Sequence, residues 1–131
     1  MNGKTFKPPK EAHMKLYVGI RKAYGHLSIV ALDNHGVAVL KNQFPFNTSG
    51  KIILKTLASL KDAFKAPLRI AISQENSIDF SLINSIEKEH GKVILVKPSL
   101  LYSTDFTPDD SLHFDRYRYA IHLAILRSLA D

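Results

Sequence analysis

The chain reads as one mixed α/β domain, a five-stranded sheet flanked by helices, and three observations predict it. Three β-patterned runs follow one another near the start with short connections, which calls for an antiparallel meander. Two amphipathic stretches then alternate with two short apolar runs, the pattern of βαβ units with parallel strands and a right-handed crossover. A last long helical stretch follows. At 131 residues, 45% of them hydrophobic, a single domain with an ordinary core is the expectation.

Residues 1–13 carry Lys4, Lys7, Lys10 and the pair Pro8-Pro9 without an apolar period. They read as a flexible basic tail ahead of a domain spanning 14–131. Between Lys15 and Ile20, the residues Leu16, Val18 and Ile20 share one face of a strand. Leu27 to Leu32 and Gly36 to Lys41 are two more strands, joined through Asp33-Asn34-His35-Gly36, whose residue types tolerate tight turn dihedrals. Asn47 or Thr48 is expected to cap a helix reaching Phe64, with Ile53, Leu57, Leu60 and Phe64 on one side. Leu68 to Ile72 is a short strand. A second helix from Asp79 to His90 uses Phe80, Ile83 and Ile86 and stops at Gly91. Val93 to Val96 is a buried-looking strand ended by Pro98. After a polar loop, Thr107-Pro108-Asp109-Asp110 offers a cap, a first-turn proline and acids at the positive end of a dipole, and predicts a helix running to Leu129. The order β-β-β-α-β-α-β-α is that of the ribonuclease H-like fold.

Charge and composition narrow the function. The chain holds 18 Lys+Arg against 12 Asp+Glu, a net +6, which favours DNA or RNA as partners. With no cysteine, neither a disulfide framework nor a thiolate metal site is available. No apolar run approaches the roughly 20 residues of a membrane span, and the first residues lack a signal peptide's apolar stretch. The expectation is therefore a cytoplasmic protein without a membrane role. His13, His26, His35, His90, His113 and His122 show no zinc spacing; His90, just before a helix-ending glycine, is placed where an imidazolium is favoured. The absence of a nucleophile elbow and of a Gly-rich phosphate loop weighs against an actin-like ATPase of similar topology. No cofactor is implied.

Four stretches carry a family resemblance. Val18-Gly19-Ile20-Arg21 stands where the family has Val-Gly-Ile-Asp, and Phe46-Asn47-Thr48-Ser49-Gly50 looks like its Phe/Pro-Asn-Thr-x-x-Gly start of the first helix. Glu89-His90-Gly91 with Val93-Ile94-Leu95-Val96-Lys97-Pro98 is similar to its Gly-x-x-Val-x-x-Val-Asn-Pro segment. Phe114-Asp115-Arg116-Tyr117-Arg118-Tyr119-Ala120 lies where it has Thr-Asp-x-x-Asp-Ala. In order and spacing the chain resembles the N-terminal RuvC-like domain of the DEDD insertion-sequence transposases, relatives of the pilin-gene inverting recombinases. The resemblance implies an Asp, Glu, Asp, Asp set holding divalent metals for phosphodiester chemistry, which needs several carboxylates converging on hard cations. Here the first acid is Arg21, the second falls on Gln74 or, with a one-residue shift, Glu75, the third is kept as Asp115, and the last is Arg118. Two guanidinium groups for two carboxylates change the local charge by about four units, enough to exclude a pair of divalent cations. The expectation is that Arg21 or Arg118 fills the metal position and pairs with Asp115 or Glu75.

Helical spacing adds three expectations. At about 100° per residue, Arg118 falls amid Phe114, Ile121, Ile125 and Leu129 and is expected to face the domain body. Tyr119, Leu123 and Leu126 form a second apolar face, a candidate interface for a homodimer or a partner protein. Lys51, Lys55, Lys61 and Lys65 form a basic row along the first helix that can track a phosphate backbone. The leading expectation is a catalytically inactive transposase-related domain, nucleic-acid binding or regulatory. The alternatives are a protein-interaction or dimerisation module, and, ranked last, a metal-dependent nuclease using Glu75, Asp115 and Asp110.

Overall fold

A computed structural model describes residues 14–23, 25–75, 79–103 and 117–131. Strand β1 (Leu16–Ala23) pairs antiparallel with β2 (His26–Leu32), and β2 pairs antiparallel with β3 (Ala38–Pro45). Strand β4 (Leu68–Ser73) runs parallel to β1, and β5 (Ile94–Val96) parallel to β4, giving one sheet of order β3-β2-β1-β4-β5. Helices α1 (Gly50–Phe64), α2 (Phe80–His90), α3 (Pro98–Ser103) and α4 (Arg118–Leu129) complete the described elements. This is the mixed five-stranded α/β architecture that the order of elements predicts.

Local chemistry sets the boundaries. Asp33 closes the β2–β3 turn, its carboxylate accepting from the backbone N–H of His35 at 2.8 Å and of Val37 at 3.0 Å. Gly36 there takes φ 81, a conformation costly for a residue with a side chain. Because Gly36 belongs to the turn, β3 starts at Ala38, and it continues past Lys41 to Pro45. The cap of α1 is Ser49, not Asn47 or Thr48: its hydroxyl accepts from Lys51 N at 3.1 Å. Asp79 caps α2 by accepting from Ser81 N and Leu82 N, and Gly91 ends it. Pro98 starts the short α3 where a polar loop is expected. The expected tail 1–13 and the helix start at Thr107 to Asp110 lie outside the described residues.

Strand alternation sorts the core into two layers. Leu16, Val18 and Ile20 of β1, with Leu68, Ile70 and Ile72 of β4, pack under α1 and α2 against Ile53, Leu57, Ile83 and Ile86. The opposite face carries Tyr17, Gly19, Arg21, Val30, Leu32, Ala71 and Ser73, and α4 crosses it over β1, β2 and β4. A Cβ on Gly19 would lie 2.0 Å from the Ala120 carbonyl oxygen and 2.8 Å from Ala124 N. The helix therefore sits directly on the β1 backbone.

Of the apolar stripe expected on α4, Ile121 and Ile125 do pack on Val30 and Leu32, whereas Leu129 does not. Ala120, Leu123, Ala124 and Arg127 are buried against the sheet, whereas Leu129 is 76% exposed and Ile125 half-buried. Leu123, expected at an interface, is fully enclosed against Ala71 and Val96, with Tyr119 and Leu126 packed around it. The physical reason is size: a helix meeting bare backbone presents its small residues and the branched one between them. The far end of α4 is fixed by Asp131, which meets Lys15 at 2.7 Å, the Tyr17 hydroxyl at 3.2 Å, Arg69 at 3.5 Å and Arg127 at 3.8 Å. The hydrogen bond from Lys15, joined by that from Tyr17, holds its carboxyl below the usual range.

His90 departs from the helix-dipole expectation. Both ring nitrogens are buried without a hydrogen-bond partner among the described residues. Burial, with the Lys61 charge nearby, lowers its pKa, so the neutral ring is the form that the fold favours.

Two outcomes follow. Gly19→Ala should cost about 1–3 kcal/mol, the range for overpacking, read as a lower urea midpoint at unchanged slope. The unfolded His90 takes its proton near 6.5 and the folded one only at lower pH. Its contribution to stability is thus present above that value and fades as pH falls through the interval toward the folded pKa. A His90→Leu variant should lose less stability than the parent between about pH 7.5 and about pH 5; equal losses would contradict the assignment.

Candidate functional site

The parallel strands β1 and β4 end side by side, with Ile20 paired to Ile72. Alternation then puts Arg21 and Ser73 on the face that α4 covers. Ser73 is 2% exposed and Arg21 9%. Two residues beyond Ser73 the chain turns, and Glu75 comes back beneath it: the Ser73 hydroxyl donates to Glu75 Oε2, and Arg21 Nε donates to the same oxygen at 3.3 Å. Gln74 instead gives its backbone N–H to the Val96 carbonyl at 2.8 Å and exposes its side chain. Of the two side chains, Glu75 is therefore the one that faces Arg21.

Tyr119, in the first turn of α4, completes the cluster. The Arg21 guanidinium carbon lies 4.5 Å from its ring centroid and that of Arg118 5.1 Å. Both fall within cation–π range, where the ring's negative face attracts the charge. Tyr119 thus acts as a platform within the fold, a role its reading as an interface residue did not include. Arg118 is half-buried beside that ring, at the edge of the helix–sheet contact. Asp115, which the resemblance aligns with a third acid, lies outside the described residues, as does Asp110.

Chemically the cluster presents two guanidinium groups, one carboxylate and a phenol ring. Arg cannot give up its proton to become a metal ligand. Glu75 already has a cation and a hydroxyl at one oxygen. Among the described residues no group of three or more His, Asp and Glu side chains stands close enough to hold a metal ion. Ser73 is the one member that sequence reasoning missed. Its signal was strand parity, which places it on the same face as Arg69 and Ala71.

The basic row is a separate feature. Lys51, Lys55, Lys61 and Lys65 are exposed on and just beyond α1, which packs on the opposite face of the sheet from Arg21. The structure does not bring the two together. On the α1 side a narrow cleft of about 60 Å³ lies between the starts of α1 and α2, lined by Lys22, Thr48, Gly50 and Asp79 and also by Ser73 and Glu75. Among the described residues no helix is long and apolar enough to cross a membrane.

No protein-family profile matches the chain, and no curated protein matches it. Among solved structures it is similar to a Bacteroides thetaiotaomicron protein with an actin-like ATPase fold and unknown function. The identity is 15% and the TM-score 0.48, over 63% of this chain and 32% of that one. The chain thus spans about a third of that protein's length. A likeness at this level carries no argument about activity.

The Arg21–Glu75 contact is testable by a double-mutant cycle with Arg21→Met and Glu75→Gln. The expected coupling is about 1–3 kcal/mol, the range for a hydrogen bond between charged groups shielded from water. Additive single losses in urea unfolding would show that the two side chains do not interact.

Proposed function

We propose that this chain is a non-catalytic ribonuclease H-like domain of the transposase-related kind, which binds nucleic acid through its basic surfaces. The observation that carries the reading is the guanidinium of Arg21 on the central strand, paired with Glu75 where a two-metal site would need converging carboxylates. A cation fixed at that point repels the divalent ions that phosphodiester cleavage requires. The net charge of +6 and the exposed row Lys51, Lys55, Lys61 and Lys65 supply attraction to phosphates without any need for catalysis. The reading of a metal-dependent nuclease ranks below it, because Glu75 is committed to Arg21. An interface centred on Leu123 is withdrawn, since that side chain is sealed against the sheet.

The test combines binding and cleavage. Fluorescence anisotropy with labelled duplex, branched and single-stranded DNA or RNA should show affinity that falls steeply with salt. Replacing Lys61 and Lys65 by Gln should reduce the logarithmic salt slope by roughly one to two. No strand cleavage is expected with magnesium or manganese. Metal-dependent cleavage abolished by Asp115→Ala would overturn the inactive reading, and absence of binding to every probe at low salt would overturn the nucleic-acid one.

A further inference from the structure

Strand register gathers cations under the last turn of α4. Tyr17 and Arg69 are paired neighbours on the parallel strands β1 and β4, and Lys15, two residues before Tyr17, shares their face. Arg127 joins them from the last turn of the helix. All four surround the Asp131 carboxylate, which is a small occupant for so many donors. Its Oδ2 takes both short contacts, from Lys15 at 2.7 Å and from the Tyr17 hydroxyl at 3.2 Å. Its Oδ1 is left to the guanidinium groups, with Arg69 Nε at 3.5 Å and Arg127 Nη1 at 3.8 Å, beyond the roughly 2.7–3.2 Å of an N–H···O bond. Arg127 is only 8% exposed, and its Nε is buried without a hydrogen-bond partner, which folded proteins seldom leave standing. The charge is uneven too. Three cations face one carboxylate side chain, and a helix C-terminus adds only about half a negative charge. Lys15 and Arg69 are 34% and 31% exposed, so small ions reach the cluster.

We propose that Lys15, Tyr17, Arg69 and Arg127 form a binding site for a phosphate group, free or as a small phosphomonoester, in which the Asp131 carboxylate is the resident anion that the ligand replaces. Asp131 lies past the end of α4 at Leu129, and rotation of its side chain is enough to vacate the cluster. A phosphate monoester offers three terminal oxygens and close to two negative charges at neutral pH. One oxygen can accept from Lys15 and Tyr17 while the others reach the two guanidinium groups, which match phosphate geometry. Tyr17 is held as a donor, because burial, with the Asp131 charge beside it, raises its pKa. A phosphodiester has two free oxygens and one charge, as a carboxylate has, and gains nothing over Asp131. The cluster therefore selects a terminal phosphate, not a nucleic-acid backbone, and it is separate from the lysine row on α1.

The probe is inorganic phosphate, titrated calorimetrically into the full chain in chloride buffer at constant ionic strength. Methyl phosphate, dimethyl phosphate and acetate are the comparisons. Phosphate should bind saturably, and Asp131→Ala, freed of its resident anion, should bind it about tenfold or more tightly. A misfolded variant cannot imitate that gain. Lys15→Met, at a part-exposed position, and Arg127→Met should each weaken binding about tenfold, whereas Lys51→Gln on α1 should bind as the parent does. Methyl phosphate binding as well as phosphate would assign the site to an ester, and weaker binding to the free ion. No saturable heat, equal binding of dimethyl phosphate or acetate, or affinity that does not rise in Asp131→Ala would each overturn the proposal. So would loss of binding in Lys51→Gln, which would move the phosphate to the α1 row.

Discussion

Gly19 has no side chain, and the backbone of the last helix lies where one would be. This close approach decides more than local packing. It selects Ala120 and Ala124 for the contact, sends Leu123 into the recess over Ala71 and Val96, and leaves Leu129 outside. It also fixes the height at which the first turn of α4 passes the end of β1. That height brings the Tyr119 ring to the Arg21 guanidinium. Any side chain at position 19 would raise the helix and separate the two halves of the site, so the geometry of the charged cluster depends on an apolar contact two residues away along β1.

The residues that carried most of the fold in the sequence were those whose spacing alone determines their side. Leu16, Val18 and Ile20 alternate, as do Leu68, Ile70 and Ile72, and each set is found on the α1–α2 face. Asp79 and Gly91 bound α2 through a cap and a positive φ that few other residues supply. Elsewhere the local signal was degenerate. Asn47, Thr48 and Ser49 can all cap a helix, and only the turn after β3 selects the last. The orientation of α4 was legible only in part. Helical periodicity weighs residues by hydrophobicity and points to Ile121, Ile125 and Leu129, of which the first two pack on Val30 and Leu32, whereas contact with a glycine backbone rewards small size and brings in Ala120 and Ala124.

The site shows the same division. Arg21 and the choice between Gln74 and Glu75 come from strand register, because one residue of shift moves a side chain to the other face or out to water. The pairing itself could be anticipated: a cation on a covered central strand needs a partner, and Glu75 is the first acid past β4. What the sequence did not contain was the ring between the two arginines. Tyr119 sits in the first turn of α4 and reaches Arg21 only once the rotation of that helix is known. His90 is a similar case. The helix dipole alone favours its charged form, but desolvation and Lys61 act in the opposite sense, and burial outweighs a partial charge spread over a helix end.

The sheet separates two electrostatic environments, and this separation bears on how the domain can act. On the α4 face, cations are taken up internally: Arg21 by Glu75 and Tyr119, and Lys15, Arg69 and Arg127 by Asp131. Charges consumed in this way hold the helix to the sheet and contribute little field outside. On the α1 side, Lys51, Lys55, Lys61 and Lys65 remain exposed, with Asp62 the one acid interrupting the row. These four lysines face solvent on the side of the sheet opposite the cluster around Arg21. Among the described charges, then, one set holds the last helix on the sheet and the other faces solvent, and the sheet that separates them is the same one that separates the two layers of the core.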